Sequence, residues 1–186
     1  MHRSRLGKSP AREQAWEIVE MNEELKAQFL EGMSKSAASV SVVTTDGPAG
    51  RAGVTVSAMT SISADGDRPT MLTCLNASSS ALPLVLDNAC FCINVLNIDQ
   101  TEISDVFSSR IPAPGGDKFN AVTPQRLVTG APYLSEALVA FDCRLISAER
   151  LGTHHICIGA VEAVRTAPEG EPLLYGMRRY LRAEEH

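Results

Sequence analysis

Short strand-like segments dominate the sequence after residue 38, and this pattern constrains the fold more than any other feature. Runs rich in Val, Ile, Thr and Cys recur almost to the end of the chain, separated by Gly, Pro, Asn and Asp. The helical segments are inserted between groups of strands instead of following each strand. Because parallel strands need a crossover connection, usually a helix, this order favours a mainly β, antiparallel barrel over a doubly wound sheet. No Gly-x-Gly-x-x-Gly follows a strand, so a dinucleotide would bind without that fingerprint.

The individual strands are predicted from residue type and spacing. Ala38–Thr45 is rich in Val and Thr and ends at the turn residues 46–50. Gly53–Ser63 follows with strict alternation, which predicts one continuous strand paired with Ala38–Thr45 in a hairpin. The other predicted strands are Thr70–Asn76, Phe91–Leu96, Leu138–Leu151, Ile156–Thr166 and Leu173–Tyr175.

Three helices are predicted. The first is amphipathic and runs from Ala11 to Met33, and its apolar stripe would cover the domain or a partner subunit. The stripe consists of Ile18, Met21, Leu25 and Phe29. Shorter helices are predicted over Ser78–Asn88 and from Asp99 to Phe107, and Ser108–Pro124 is a long loop of the kind that often forms a lid. The predicted organisation is a flexible tail (1–12), an N-terminal helix (13–34) and one domain (35–186).

Charge and hydropathy narrow the classes of function. With a net charge of −5, nucleic-acid binding is not expected as the main activity, although backbone N–H groups could still bind a small anion. No run of 18 apolar residues and no signal-peptide core appear, so we expect a cytoplasmic protein without a membrane span. The five cysteines are odd in number and mostly lie in apolar runs, which predicts reduced thiols and no metal site.

The hydroxyl-bearing face of Gly53–Ser63 is the first candidate site. Thr55, Ser57 and Ser61 lie on this face, and from composition alone a solvent-facing strand surface is the simpler explanation. The run is also unusually small, with Ala58 next to Ser57, so a flat ring could lie close against the backbone. Backbone N–H and C=O groups would then meet the polar edge of that ring.

Two turns supply further candidates. Asn76–Ser80 precedes a predicted helix, where free N–H groups and the helix dipole suit a phosphate, although a simple serine cap is the alternative. His154 stands in a Gly-x-His turn and could be a ligand contact or an ordinary surface residue. Arg178 and Arg179 could likewise contact phosphate or be solvated. No catalytic triad or carboxylate pair is present to suggest hydrolysis.

Several motifs occur in the order typical of one known family. They are Ser41–Thr45, Gly53–Ala58 with Ser61, Cys74–Asn76 with Ser79, Phe91–Leu96, Asp117–Phe119, Gly130–Leu134, Gly152-x-His154, and Pro172–Tyr175 with Tyr180. Through them the chain resembles the short flavin reductases that serve two-component flavin-dependent monooxygenases. The resemblance extends from about Met33 to Tyr180. It implies a six-stranded antiparallel split β-barrel with Greek-key connections that forms a homodimer, with the flavin in a groove near the subunit interface.

The resemblance also implies roles for individual residues. Those expected to line the isoalloxazine ring are Thr55, Val56, Ser57, Ala58 and Ser61. Those expected to bind the ribityl phosphate are Asn76 and Ser79, with Ser78 in the same turn, while Lys118 and Phe119 would close over it. His154 is expected to contact the nicotinamide, with Tyr175 and Arg178 at the edge of the same site.

The function implied by the resemblance is that of an NAD(P)H:flavin oxidoreductase. It would reduce FAD or FMN with NADH or NADPH and release the reduced flavin to a partner oxygenase that acts on an aromatic, phenol-type substrate. Such a reaction needs stacked rings more than acid–base side chains. Two alternatives remain open: a flavin-storage protein without turnover, and a heme- or pyridoxal-binding member of the wider split-barrel group.

Overall fold

The computed structural model describes residues 22–184. The described residues divide into two units, with the boundary between Met33 and Ser34. Helix α1 spans Glu23–Ser34 at this boundary, and the Asn22 side chain accepts a hydrogen bond from the backbone N–H of Glu24 at 2.8 Å. No residue of α1 is buried, and Phe29 of the predicted stripe is 63% exposed. The predicted tail and the beginning of the predicted helix lie outside the described residues.

The second unit contains twelve strands and two α-helices in its described part. The strands are β1 (Ala38–Ser39), β2 (Ser41–Thr45), β3 (Ala52–Val56), β4 (Met59–Ser63), β5 (Thr70–Asn76), β6 (Cys90–Val95), β7 (Pro124–Arg126), β8 (Pro132–Leu134), β9 (Val139–Leu151), β10 (His154–Thr166), β11 (Leu174–Gly176) and β12 (Arg179–Leu181). The helices are α2 (Ala81–Asn88) and α3 (Thr101–Phe107), and 3₁₀ turns cover Pro114–Gly116 and Lys118–Ala121.

Seven strands form the main sheet in the order β3-β2-β6-β9-β10-β5-β4, and every neighbouring pair is antiparallel. The mainly β, antiparallel prediction is therefore confirmed, including the β2–β3 hairpin. The two edge strands β3 and β4 are consecutive in the chain and are joined only by Ser57 and Ala58. The carbonyl of Ala58 accepts a hydrogen bond from Cys74 of β5 at 3.0 Å, which fixes this connection on the opposite edge of the sheet.

The predicted continuous strand Gly53–Ser63 is wrong, because it breaks into β3 and β4. Val54 and Val56 pack against a buried core, and so does Met59, which the strict alternation placed on the opposite face. The phase of the alternation therefore shifts by one residue at Ser57–Ala58, where the chain crosses from one sheet edge to the other. This break gives the sheet seven strands where six were expected.

Two apolar cores support the site. The first lies under β3, β5 and α2 and includes Val43, Leu75 and Val85. The second lies around α3 and includes Phe107 and Phe119, whose rings meet edge to face with centroids 5.4 Å apart.

Gly53 controls how closely α3 approaches β3. A Cβ at this position would lie 2.5 Å from Cε1 of Phe107, so only glycine allows the helix to sit this near the strand. The hydroxyl of Thr55 then reaches the carbonyl of Ser104 in α3 at 2.8 Å. The helix is thus tied to the strand on which the candidate site lies.

Other boundaries differ from the sequence-based expectations in identifiable ways. Helix α2 begins at Ala81, three residues later than expected, because 76–80 forms a turn of its own. Strand β10 begins at His154, earlier than the predicted Ile156. The β7–β8 hairpin and β12, whose strands are three residues long, were not predicted. Within residues 22–184, no helix has both the length and the apolarity needed to cross a membrane.

Candidate active site

The segment Val54–Ala58 lines two cavities, which share Thr55, Val56 and Ser57. The first, here called the His154 cavity, has a volume of about 230 Å³. Apart from the segment itself, it is lined by Cys74, Leu75, Asn76, Ser79 and His154. The second, the Arg110 cavity, has a volume of about 170 Å³. Its other lining residues are Val40, Ser104, Ser108, Arg110, Tyr175 and Tyr180.

The shared segment has the properties of a floor for a flat ligand. It carries no side chain larger than Val, and Ser57 and Ala58 are exposed where the chain crosses between the sheet edges. Each cavity is smaller than the roughly 300–1,000 Å³ typical of a small-molecule site. A ligand larger than either cavity could lie on the shared segment and reach both.

Strand pairing places His154 in its cavity. Gly152 takes a left-handed conformation (φ 59°) in the tight turn between β9 and β10, which starts β10 at His154. In the β5–β10 register His154 lies directly opposite Asn76. Its Nδ1 is 3.0 Å from the Thr153 hydroxyl and its side chain is exposed, so the ring borders the open side of the cavity.

The turn 76–80 is held in shape by its own hydrogen bonds. The Asn76 Oδ1 accepts from the backbone N–H and the hydroxyl of Ser78 at 2.9 and 2.8 Å, and the Asn76 carbonyl accepts from Ser79 N at 2.9 Å. The Ser79 hydroxyl accepts from Ala81 N at 3.3 Å, while Ser80, the N-cap residue of α2, makes no side-chain capping hydrogen bond. Among the residues that the structure describes, the Asn76 Nδ2 has no acceptor, which leaves a donor for a ligand.

The Arg110 cavity contains a charged and aromatic cluster. Arg110 donates to Asp105 Oδ1 at 3.4 Å, to the Tyr180 hydroxyl at 3.3 Å and to the Tyr175 hydroxyl at 3.4 Å. Its Cζ lies 5.2 Å from the Tyr175 ring centroid and 5.9 Å from that of Tyr180. The Tyr180 hydroxyl also donates to Asp105 Oδ1 at 2.6 Å and lies 2.9 Å from the Ser104 Oγ.

These contacts determine the charge state of the cluster. Burial lowers the pKa of Arg110, but the tyrosine and Asp105 contacts outweigh burial and raise the pKa overall, so the guanidinium remains charged. Burial, followed by the hydrogen bond to Asp105, raises the pKa of Tyr180, which therefore remains a neutral phenol. The cavity lining has one fixed positive charge, and the Asp105 carboxylate pairs with it at 3.4 Å.

The structure brings most, but not all, of the predicted site residues together. Thr55, Val56, Ser57, Ala58, Asn76, Ser79, His154 and Tyr175 line one or both cavities. Ser61 lies on β4 and is exposed, Ser78 is exposed in its turn, and Arg178 is exposed in the turn after β11 with φ 58°. Neither cavity includes these three residues, because the break at Ser57–Ala58 and the turn geometry direct them elsewhere.

Lys118 and Phe119 also lie away from both cavities. The Lys118 Nζ donates to the Phe107 carbonyl at 2.8 Å, and burial lowers the pKa of this lysine. Phe119 is buried against Phe107 in the second core. The 3₁₀ turn that carries them begins at Asp117, whose carboxylate accepts from Phe119 N at 2.9 Å. The expected closure of this pair over a phosphate remains a prediction.

Eight lining residues were not predicted as site residues. They are Val40, Ser104, Ser108, Arg110 and Tyr180 in the Arg110 cavity and Val54, Cys74 and Leu75 in the His154 cavity. Arg110 lies in the long loop after α3, where no periodicity marks it, and Ser104 is an ordinary helix position. Tyr180 formed part of the motif order but had no assigned role. The one available signal was a lone arginine within a proline-rich loop.

Comparison with known proteins gives a consistent result. The family model for the flavin reductase like domain matches residues 33–184. FMN reductase (NADH) RutF 1 of Methylorubrum extorquens is 42% identical over 154 residues, covering 83% of this chain and 75% of the relative.

Two solved structures illustrate the similarity in fold. Flavin reductase PheA2 superposes with a TM-score of 0.77 at 25% identity, covering 89% of this chain and 100% of that one. BorF, the flavin reductase component of a bacterial two-component tryptophan halogenase, superposes with a TM-score of 0.74 at 26% identity. That match covers 86% of this chain and 99% of BorF.

Proposed function

Because the chain belongs to the flavin reductase-like domain family, we propose that it is an NADH-dependent flavin reductase that releases reduced flavin for use by a separate enzyme. The observation that carries the proposal is the small-residue floor Val54–Ala58, with a cavity on each side and His154 at the open side of one of them. This arrangement suits a flat tricyclic ring covered by a second ring.

The residues present fit a flavin. Ser57 and Ala58 offer an exposed, unobstructed surface for the isoalloxazine ring, and Val56 adds an apolar contact. The backbone N–H groups of Ser78, Ser79, Ala81 and Leu82 are already bonded within the turn, so the expectation of free N–H groups at this helix start is wrong for these four. The Asn76 side-chain amide still offers a donor on this cavity wall, and it suits the ribityl phosphate. We assign the phosphate to this turn and the ring to the floor.

When bound, a flavin would supply N5 as the acceptor of a hydride from nicotinamide C4. The protein's part in this step is positional. The floor holds one ring flat, and His154, fixed opposite Asn76 in the β5–β10 register, borders the space where the second ring would stack. Holding both rings at contact distance supplies much of the rate enhancement without an acid or base.

We further propose FMN and NADH as the preferred pair, since the relatives are named FMN reductase (NADH). The proposed receiver of reduced flavin is an oxygenase that acts on an aromatic, phenol-type substrate. The motifs resemble reductases that serve two-component monooxygenases, and PheA2 and BorF are flavin reductases of similar fold. We propose that the enzyme acts as a homodimer in the cytoplasm.

A matrix of two flavins and two nicotinamide nucleotides in steady-state assays tests the proposal. We expect rapid loss of the nicotinamide absorbance with NADH and FMN, and slower loss in the other three combinations. Flavin binding without turnover in any combination would support the storage alternative. A bound chromophore with a heme or pyridoxal spectrum would refute the flavin assignment.

A further inference from the structure

Arg110 supplies a fixed positive charge directly beside the proposed flavin floor. Its guanidinium lines the cavity that shares Thr55, Val56 and Ser57 with the His154 cavity. The side chain is 51% exposed, so one side contacts the protein and the other remains accessible from the cavity. The hydride-transfer step itself does not require this residue.

Arg110 is anchored to the same framework as the floor. Tyr180 accepts from its Nη1 at 3.3 Å, Asp105 accepts from the same atom at 3.4 Å, and the two anchors are themselves joined at 2.6 Å. Asp105 lies in α3 beside Ser104, whose carbonyl accepts from the Thr55 hydroxyl of the floor at 2.8 Å. The arginine and the floor are therefore linked through one helix.

The guanidinium also has unused donor capacity. It has five N–H donors, and its contacts with Asp105, Tyr175 and Tyr180 are all at 3.3–3.4 Å, the long end of the hydrogen-bond range. A ligand oxygen with a negative charge would make a shorter, charge-assisted hydrogen bond. The site is thus built for an anionic, planar edge.

We propose that Arg110 binds the pyrimidine edge of the flavin and favours the negatively charged reduced form over the neutral oxidised form. This inference rests on the proposed function, because it assumes that the flavin ring occupies the floor. Hydride transfer moves two electrons and one proton to the ring, which leaves one negative charge spread over N1 and the C2 carbonyl, while the nicotinamide becomes positively charged. A cation at that edge stabilises the product more than the reactant.

The test is a pair of anaerobic equilibrium titrations, one with oxidised FMN and one with dithionite-reduced FMN, read by flavin absorbance and protein fluorescence. For Arg110→Gln we expect the dissociation constant of reduced FMN to rise about tenfold and that of oxidised FMN to change less than about threefold. Arg144→Gln is the matched control, since Arg144 also pairs with a carboxylate, Glu162, but lines neither cavity. It should leave both constants unchanged.

Two further variants keep the inference testable if Arg110→Gln does not fold. Arg110→Lys retains the charge and should recover part of the preference for reduced FMN. Tyr180→Phe removes the hydroxyl that accepts from Arg110, and should shift the ratio of the two constants in the same direction by a smaller factor. The midpoint potential of bound FMN should fall in parallel with the loss of preference.

Several outcomes would overturn the inference. If the binding of oxidised and reduced FMN weakened equally, Arg110 would contribute to flavin binding without favouring either state. A raised KM for NADH with unchanged flavin binding would show that Arg110 contacts the reductant instead. Failure of the wild-type protein to bind FMN in either state would refute both this inference and the proposed function. Wild-type turnover combined with an unchanged ratio in Arg110→Gln would refute this inference alone.

Discussion

The two cavities that share the floor use different chemistry. The His154 cavity has an amide, a hydroxyl and an imidazole, from Asn76, Ser79 and His154, arranged by strand pairing and by a turn that hydrogen-bonds to itself. The Arg110 cavity has a guanidinium beside two tyrosine rings that contact each other, and a carboxylate pairs with it. The fixed charge of Arg110 interacts with the charge of a bound ring, whereas uncharged amide and hydroxyl groups such as Asn76 and Ser79 discriminate much less between its redox states. We infer that the His154 cavity positions the ligands, whereas the Arg110 cavity determines the preference for reduced over oxidised flavin.

The floor is common to both cavities, so changing it should produce the largest effect. Ser57→Phe places a bulky ring on the surface proposed for the isoalloxazine, and we expect flavin affinity to fall on the order of a hundredfold in both oxidation states. Fluorescence titration with FMN measures this loss. The matched control is Ser61→Phe, because Ser61 lies outside both cavities. A comparable loss in the control would show that Ser61 belongs to the floor after all.

Gly53→Ala should distinguish the Arg110 cavity from the His154 cavity, because it moves α3. Its new Cβ would lie 2.5 Å from the Phe107 ring, so the helix must shift, and we expect a loss of about 1–3 kcal/mol in the free energy of unfolding. Because α3 carries Ser104 and Asp105, the discrimination between reduced and oxidised FMN should weaken as well.

Denaturant unfolding and the paired FMN titrations measure these two effects. The double variant with Phe107→Leu provides room for the new methyl group and should recover part of the stability. Full stability in Gly53→Ala alone would contradict the close helix–strand contact.

His154→Ala changes only the His154 cavity. We expect KM for NADH to rise about five- to tenfold, because a contact with the stacked nicotinamide is lost, while the FMN dissociation constant stays within about twofold. Steady-state kinetics and FMN titration give the two values. His155→Ala is the neighbouring control, since successive side chains of a strand point to opposite faces and His155 lines neither cavity. An unchanged KM in His154→Ala would exclude this placement of the nicotinamide.

The sequence also predicted the residues of the His154 cavity better than those of the Arg110 cavity. Asn76, Ser79 and His154 stand at strand ends and in turns, where Gly, Asn and Ser signal the local geometry directly, and the family motifs pass through them. The antiparallel fold followed from the order of short strands. Only the register, set by packing across the sheet, brings His154 opposite Asn76.

The Arg110 side depends on contacts between segments far apart in the chain. Tyr180 reaches Arg110 across 70 residues, and no local pattern specifies such a contact. The break at Ser57–Ala58 was missed for a related reason, since alternation describes one strand and cannot show where the chain changes sheet edge. Lys118 and Phe119 matched a motif, but their contacts with Phe107 turn them inward.

The smallest expected effect concerns one thiol that lines the His154 cavity. Cys74 lines the His154 cavity and is half-buried, whereas the other four cysteines are buried. Burial raises the pKa of Cys157 to about 11 and that of Cys143 to about 12, so these thiols stay protonated and unreactive near pH 8. We therefore expect one fast-labelling thiol in the native protein.

Bound FMN should slow the labelling of Cys74 several-fold, because the ligand covers that wall of the cavity. The measurement is the rate of thiol modification at pH 8 with and without saturating FMN, and Cys74→Ser should remove the fast phase altogether. Since no cysteine lines the Arg110 cavity, a slower labelling rate reports ligand binding in the His154 cavity alone. If FMN left the rate at Cys74 unchanged while still binding, the ligand would lie on the Arg110 side only, and the proposed division between the two cavities would be wrong.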